Sequence, residues 1–140
     1  MANLIRFGVS LPDDLLERFD AEIRQKGYSN RSEAFRDLIR EFLVKKELDS
    51  DAEVVGTLTL VYDHHVADLG LKLKTLQHDF YQNIMSNIHF HLDHHHCLEV
   101  IVLRGQCSVI RNLAEHIIGL RGVKHGKLTF TSTGENLPGL

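Results

Sequence analysis

The chain has 140 residues, of which 43% are apolar and 25% charged, and its net charge is −3. This composition predicts a folded protein of one ordinary domain or two very small ones, and it argues against a disordered chain. No apolar run is long enough to cross a bilayer, and the N-terminus lacks the layout of a signal peptide. Two cysteines are too few for a disulfide framework, so we expect a cytoplasmic protein with reduced thiols.

The first segment opens with residues 4–11, in which apolar and polar residues alternate. A period of two predicts a strand whose buried face is formed by Ile5, Phe7, Val9 and Leu11. A lone strand leaves its backbone hydrogen-bonding groups unpaired, and a segment of under about fifty residues buries too little to be stable alone. Both problems disappear if two chains pair these strands, and such a two-stranded ribbon fits the major groove of DNA.

Two helices are predicted after this strand. The first begins at Pro12, which suits the first helical position, and ends at Gly27, which suits a left-handed cap. The second begins at Asn30, where the glutamate at position 33 completes a capping box. Charged residues surround its end and predict a linker near 46–53.

This strand and its two helices resemble the ribbon-helix-helix family of DNA-binding proteins, here over residues 1–48. In that family the outward residues of the strand read base edges, and these positions hold Arg6, Gly8 and Ser10. The start of the second helix would donate backbone N–H groups to a phosphate from Asn30, Arg31 and Ser32. Gly8 departs from the pattern because it has no side chain to read a base. The alternative is a strand and helical hairpin that serve only dimerisation.

The second segment, residues 54–132, predicts six further elements. Strands are expected at 54–62, 85–92, 98–103 and 123–131, and helices at 66–84 and 108–120. The order βαββαβ is that of a ferredoxin-like domain, so the predicted fold class is α+β. Residues 133–140 are expected to form a flexible tail.

Histidine is the unusual feature of this second segment. The chain has ten histidines, and eight of them lie between His64 and His96. His89 and His91 alternate on a predicted strand, so both imidazoles project from one face, and a turn would fold Cys97 back towards them. His78, on the preceding helix, is a plausible fourth ligand. Three imidazoles and a thiolate suit zinc, or nickel(II) or copper(II) in a square plane.

Simpler interpretations of these residues exist beside the metal site. Surface histidines and a Cys97 packed as a small hydrophobe would leave no site at all. His64 and His65 could form a secondary site, whereas a turn would leave the imidazoles solvated at His94, His95 and His96. Three more residues are interpreted as structural: Cys107, His116 and His125.

Nearly the whole chain resembles the nickel-responsive regulators of the NikR type. The similarity lies in the stretches LPDDLLERFD, GYSNRSEAFRDLIR, IHFHLDHHHCLEVIVLRG and RGVKHGKL. The resemblance implies an ACT-type second domain, a homotetramer built as a dimer of dimers, and a palindromic DNA operator. It also implies one planar nickel ion per chain, held by His89, His91 and Cys97 of one chain and by the partner's His78.

The resemblance further implies roles for three neighbouring positions. Gln77 would orient the site through hydrogen bonds. Glu33 and Asp37 match positions of a second cation site near the DNA-binding domain, although a solvated charge pair explains them equally well.

The expected function is repression of nickel-uptake genes, with no catalytic residues and no organic cofactor. Metal binding and operator binding would be thermodynamically coupled. Three rivals remain open: a sensor of copper, cobalt or zinc; a metal-dependent hydrolase with Glu99 as its base; and a nickel storage or delivery protein.

Overall fold

The computed structural model describes residues 3–138, so the ends of the predicted first domain and of the predicted tail lie outside the described residues. The chain divides into two compact units. The first extends to Lys45, and the second runs from Lys46 to Asn136. None of the helices within 3–138 combines the length and the apolar character that a membrane span requires.

The first unit contains two helices, α1 (Asp13–Gln25) and most of α2 (Arg31–Asp49). Gly27 ends the first helix with a φ of +83°, as its position predicted. The predicted cap of α2 is confirmed, because the Asn30 side-chain oxygen accepts the Glu33 backbone N–H at 3.0 Å. The segment 46–53, where charged residues predicted a linker, is helical up to Asp49, and residues 50–52 connect α2 to the next strand.

The strand predicted at residues 4–11 is not formed in a single chain, and residues 3–12 carry no regular secondary structure. Its apolar side chains are open to solvent, with Ile5 84% and Phe7 72% exposed. The physical reason is that a strand needs a hydrogen-bonding partner, and this unit contains no second strand among its described residues. The alternating pattern predicts that the same strand of a second chain is this partner.

The second unit is a four-stranded sheet with two helices. Its elements are β1 (Glu53–Asp63), α3 (Leu69–Asp79), β2 (Ile84–His91), β3 (His96–Gln106), α4 (Cys107–Ile118) and β4 (Val123–Ser132). The strands lie in the order β2-β3-β1-β4, and every neighbouring pair is antiparallel. The predicted βαββαβ order and the ferredoxin-like α+β class are therefore confirmed.

The core of the second unit lies on one face of the sheet, under α3 and α4. Burial alternates along β3, where Cys97, Glu99, Ile101 and Leu103 are buried and their neighbours are half-buried. The buried residues of β1 alternate in the same way and pack with Ile110 and Ile117 of α4. Because both helices of the second unit pack on this face, neither of them covers the opposite face, on which Leu98 and Val100 lie.

Two elements of the second unit differ from the sequence prediction by three or more residues at an end. Helix α3 covers Leu69–Asp79 and not 66–84, because Asp68 adopts a left-handed φ of +67° before it and turns follow its end. Strand β3 is longer than predicted, because it pairs with β1 from His96 to Gln106. Residues 133–138 form no helix or strand.

The N-terminus of α4 is capped by Asp51, a residue that lies far from it in the sequence. Asp51, which precedes β1, accepts hydrogen bonds from the Ser108 backbone N–H at 2.6 Å and from the Ser108 hydroxyl at 2.9 Å. Asp51 does so from a left-handed backbone with φ of +59°. A remote carboxylate thus supplies the acceptor that the residue before α4, Gln106, does not supply.

Candidate metal centre and DNA-contact residues

The candidate metal centre lies where β2, β3 and β1 run side by side. His91 is directly opposite Cys97, and Cys97 is directly opposite Tyr62. His89 is likewise opposite Glu99 in the next row of the same face. Because residues opposite one another in an antiparallel sheet share a face, the register brings the H-x-H pair and the cysteine together.

The distances bear out this convergence. The Cys97 Sγ lies 3.5 Å from His91 Nδ1. One ligand atom from each of His64, His91 and Cys97 lies within 4.8 Å of the other two. Cys97 is fully buried, whereas His64 and His91 are exposed, so a buried sulfur faces two imidazoles that solvent can reach.

His64 is the residue of this group that the sequence analysis assigned elsewhere, as half of a secondary site with His65. It follows β1 immediately, and the last pair of the β1–β3 register places Asp63 opposite His96, beside Cys97. The only signal in the sequence was that the end of β1 must meet the start of β3, and this depends on a register that the sequence does not reveal.

His89 stands beside the group rather than within it. Its ring centroid lies 5.2 Å from that of His91, and its Nε2 lies 3.5 Å from the Tyr62 hydroxyl. The same hydroxyl donates to Glu99 at 3.4 Å, and Gln77 donates to the other Glu99 oxygen at 2.8 Å. A buried carboxylate thus connects the base of the site to helix α3.

His78 is exposed in the last turn of α3 and does not belong to the close group of ligand atoms. Its neighbour Gln77 is the α3 residue whose side chain bonds to Glu99. Of the four predicted ligands, then, His91 and Cys97 converge, His89 is adjacent, and His78 lies apart in a single chain.

The donor set fits a transition metal. Burial, followed by the negative charge of Glu99, raises the pKa of the Cys97 thiol above its usual 9.0. A thiol in this setting holds its proton until a cation displaces it, because a metal binds the thiolate and not the thiol. A sulfur with several imidazoles nearby is the ligand type of zinc, nickel and copper sites.

The turn between β2 and β3 is held by Asp93. Its Oδ1 accepts the backbone N–H groups of His95 and His96, each at 2.8 Å. Both oxygens also lie 3.0 Å from the His96 ring nitrogen, and these contacts lower the pKa of Asp93 to about 2. The turn is therefore a fixed structure, although the histidines in it are largely exposed.

The three predicted base-reading residues, Arg6, Gly8 and Ser10, lie exposed on the unpaired N-terminal stretch. Gly8 has nothing within 4 Å of the position that a Cβ would take. Arg6 and Ser10 line a cavity together with Phe35 of α2, and the assignment of these residues to bases stays a prediction.

The side chains at the predicted phosphate site, at the start of α2, have local partners. The Nε and Nη2 groups of Arg31 donate to the Asp20 carboxylate of α1, at 2.9 and 2.8 Å. Asn30 is already engaged as the cap, while Ser32 is exposed. The predicted contacts to a phosphate are made by backbone N–H groups, which these side-chain bonds do not occupy, and the assignment stays a prediction.

The two carboxylates of the predicted second cation site each have local partners. Asp37 accepts the Tyr28 hydroxyl at 2.6 Å, and Glu33 accepts the Ser29 backbone N–H at 3.4 Å. The bond to Asp37 raises the pKa of Tyr28. A cation would have to compete with these bonds, and the site stays a prediction.

Both units are similar to known protein families. Residues 5–46 match the model of ribbon-helix-helix proteins of the copG family, and residues 55–131 match the C-terminal nickel-binding domain of NikR. The fold of one unit recurs in an uncharacterized protein from Thermotoga maritima, with a TM-score of 0.50 at 18% identity over 56% of this chain and 96% of that chain. A ribbon-helix-helix domain joined to a nickel-binding domain defines the class of metal-responsive DNA-binding regulators.

Whole-chain relatives narrow the class to a family. Proteins from Desulfovibrio desulfuricans, Solibacter usitatus and Thermococcus onnurineus, each provisionally named a nickel-responsive regulator, are 57%, 54% and 53% identical to this chain. The alignments cover 96–98% of this chain and 98–99% of the relatives. The chain belongs to the NikR family of nickel-responsive regulators, which are transcription factors and not enzymes.

Proposed function

We propose that this protein is a nickel-dependent repressor whose metal centre is completed by two chains. His89, His91 and Cys97 of one chain and the partner's His78 hold one nickel ion per chain. The observation that carries the proposal is the contact of His91 Nδ1 with the buried Cys97 Sγ at 3.5 Å, on a face that also carries His89. His78, in contrast, lies exposed and outside this group.

The exposed apolar surface supports an assembly of several chains. On β2, Ile88 is 55% exposed and Phe90 is 53% exposed, and both lie on the face opposite His89 and His91. Half-buried Val100 and Leu98 of β3 are directly opposite these two residues and extend the apolar surface. Contiguous apolar surface of this kind marks an interaction site.

A second interface is expected at the N-terminal stretch, whose exposed apolar side chains would be buried when it pairs with the same stretch of a second chain. Two kinds of self-association, one through each unit, are what a homotetramer built as a dimer of dimers requires. The paired strands would form the ribbon that enters DNA, with Arg6, Gly8 and Ser10 on its outer side. A two-fold related pair of ribbons reads a palindromic operator.

The chemistry that nickel supplies is coordination of ligands from two chains at once. The residues of this chain perform every other part of the mechanism. Tyr62 and Glu99 support His89, and Gln77 of α3 bonds to Glu99, so one hydrogen-bonded set runs from His89 to the residue that precedes His78 in the sequence.

A ligand that favours one arrangement of chains raises operator affinity, and the operator raises nickel affinity by the same factor. Repression of nickel-uptake genes when nickel is abundant is the outcome that this coupling serves. A protein that acts on chromosomal DNA works in the cytoplasm.

The hydrolase alternative finds no support at its one candidate base. Glu99 is only 5% exposed, and both of its oxygens accept hydrogen bonds, from Tyr62 and Gln77. A general base must reach a water at the metal, whereas this carboxylate is used in holding other side chains. A sensor of another metal is tested by competition, since a nickel(II) thiolate site has its own absorbance band.

The experiment is a gel shift on promoter DNA of nickel-transport genes, with and without one equivalent of nickel per chain. We expect a shift that appears or strengthens only with nickel, and its loss in His89→Ala, Cys97→Ala and His78→Ala. Cys107→Ala is the matched control, because Cys107 is also buried but lies at the start of α4. It is expected to keep the nickel response.

The outcomes separate the parts of the proposal. Tight nickel binding without any shift would refute the repressor and favour storage or delivery. A nickel response that survives in Cys97→Ala would refute the ligand set. For His78, mixing the His78→Ala and Cys97→Ala chains should restore part of the nickel binding, because only a site between chains can be complemented in this way.

A further inference from the structure

The connection between α2 and the sheet of the second unit is only three residues long. Helix α2 begins in the first unit, which extends to Lys45, and its last turn belongs to the second unit. The backbone N–H groups of residues 50–52 donate to carbonyls in this last turn, at 3.0, 3.4 and 3.2 Å. Residues bonded in this way form the end of a helix and not a flexible linker.

Asp51 joins this helix end to α4. Its carboxylate accepts the Ser108 backbone N–H at 2.6 Å and the Ser108 hydroxyl at 2.9 Å, and we call these two bonds the Asp51 anchor. The carbonyl of the next residue, Ala52, accepts the Cys107 N–H at 3.2 Å. Leu48, in the last turn of α2, packs against the core of the second unit. The end of α2 is therefore fastened to the first turn of α4.

The first turn of α4 is directly connected to the candidate metal centre. Helix α4 begins at Cys107, immediately after β3 (His96–Gln106), and Cys97 lies at the other end of this strand. Strand β3 is hydrogen-bonded on both sides, to β1 and to β2. Such a central strand opens rarely, so the metal ligand at one end and the anchor at the other belong to one stable element.

We propose that Asp51 is a positioning residue of the nickel response, an inference that rests on the function proposed above. Because Asp51 fastens α2 to the second unit, a constraint that nickel places on the second units of neighbouring chains also acts on the helices that lead into their first units. A flexible joint would let each first unit move independently, and nickel binding would then contribute little to operator binding. Asp51 is not among the proposed metal ligands or DNA-contact residues, so its effect is expected in the coupling between the two affinities.

The first arm of the test is limited trypsin digestion of the full-length metal-free protein, with the cleavage sites identified by mass spectrometry. Lys45 and Lys46 are exposed on α2 at the end of the first unit, and a helix must open before trypsin cuts it. Asp51→Gly keeps the positive φ and removes the anchor, so cleavage after these lysines should become about fivefold faster or more. Asp51→Asn keeps an acceptor for the Ser108 N–H and should be cut at the wild-type rate.

The second arm measures the operator dissociation constant by gel shift, with and without one equivalent of nickel per chain. The ratio of the two constants is the nickel response, and Asp51→Gly should reduce it by about fivefold or more, whereas Asp51→Asn should keep it. Nickel affinity, measured by titration of the nickel–thiolate band, and operator affinity without nickel should each change by less than about twofold.

The matched control is Gly126→Ala, in which a new Cβ collides with Ile118. This variant destabilises the second unit without removing the Asp51 anchor, so it should keep both the wild-type cleavage rate after Lys45 and Lys46 and the full nickel response. The control therefore distinguishes a role in positioning from a general loss of stability.

Equal cleavage of the wild-type and Asp51→Gly chains would show that Asp51 does not fasten α2, and it would overturn the inference. Faster cleavage with an unchanged nickel response, or a response that Gly126→Ala loses to the same extent, would also overturn it. A wild-type chain without any nickel response would refute the proposed function, whereas the digestion would still decide whether Asp51 fastens α2.

Discussion

Replacement of Asp51 by alanine is expected to destabilise the second unit by about 2–3 kcal/mol. Two contributions add up, the loss of the helix cap with its charge and the strain of the backbone. Loss of a side-chain acceptor at a helix N-terminus costs about 1 kcal/mol, and loss of its charge near the helix dipole costs about 0.3–1 kcal/mol. Alanine in the left-handed backbone that Asp51 occupies, at φ of +59°, costs about 1 kcal/mol more, because aspartate tolerates that region better.

The two contributions can be separated with two further variants at the same position. Asp51→Gly loses the bonds to Ser108 and the charge but tolerates the positive φ, so its expected cost is about 1.3–2 kcal/mol. Asp51→Asn tolerates the backbone and keeps one acceptor for the Ser108 N–H, and its NH2 group can donate to the Ser108 hydroxyl in place of the lost second acceptor. Its main loss is therefore the charge, at about 0.5 kcal/mol. The expected order of destabilisation is Ala, then Gly, then Asn.

The assay is urea unfolding of the metal-free protein, followed by far-ultraviolet circular dichroism. The protein concentration is held constant, because association of chains adds to apparent stability. An alanine variant no less stable than the glycine variant would show that the backbone at residue 51 is not strained. An asparagine variant as unstable as alanine would show that the bonds to Ser108 do not carry the effect.

Two more predictions follow from close packing and from burial. Gly126→Ala should lower the free energy of unfolding by about 1–3 kcal/mol, because the new Cβ would collide with Ile118. Gly70→Ala should not lower it, because nothing lies within 4 Å of the position of its Cβ. Urea unfolding of both variants measures the difference. Burial, followed by the charge of Glu99, raises the pKa of Tyr62 to about 12, so the stability that this phenol contributes is present below pH 10 and is lost as the pH rises through about 12. An ultraviolet titration should therefore show a last tyrosinate step near pH 12 that disappears in Tyr62→Phe but not in Tyr81→Phe; loss of that step in both variants, or in neither, would contradict the assignment.

Features that depend on neighbouring residues were predictable from the sequence. The Asn30 cap and the end of α1 at Gly27 are set by bonds within one or two turns. The hairpin that returns Cys97 to His91 is also local, because only the turn at Asp93 separates the two strands. For these elements, the spacing of residues along the chain is enough to predict which groups come into contact.

Features that depend on distant pairing were not predictable in the same way. The N-terminal stretch has the pattern of a strand, yet a single chain provides no partner for it. His64 joins His91 and Cys97 only because the end of β1 is in register with the start of β3, although residues 64–95 separate the paired Asp63 and His96 along the chain. Both strands can be predicted from the sequence, but the register in which they pair cannot.

The strands that carry the metal centre differ in how many neighbours they have. Strand β1, which leads through Tyr62 to His64, is hydrogen-bonded on both sides, to β3 and to β4. Strand β2, which carries His89 and His91, is paired on one side only, to β3. Amide hydrogens near Tyr62 should therefore exchange with solvent much more slowly than those of β2, because a central strand opens less often than an edge strand. The side of the centre that contains Tyr62 therefore lies in the slowest-exchanging part of the unit. The side that contains His89 and His91 lies on an edge strand, whose hydrogen bonds open more often.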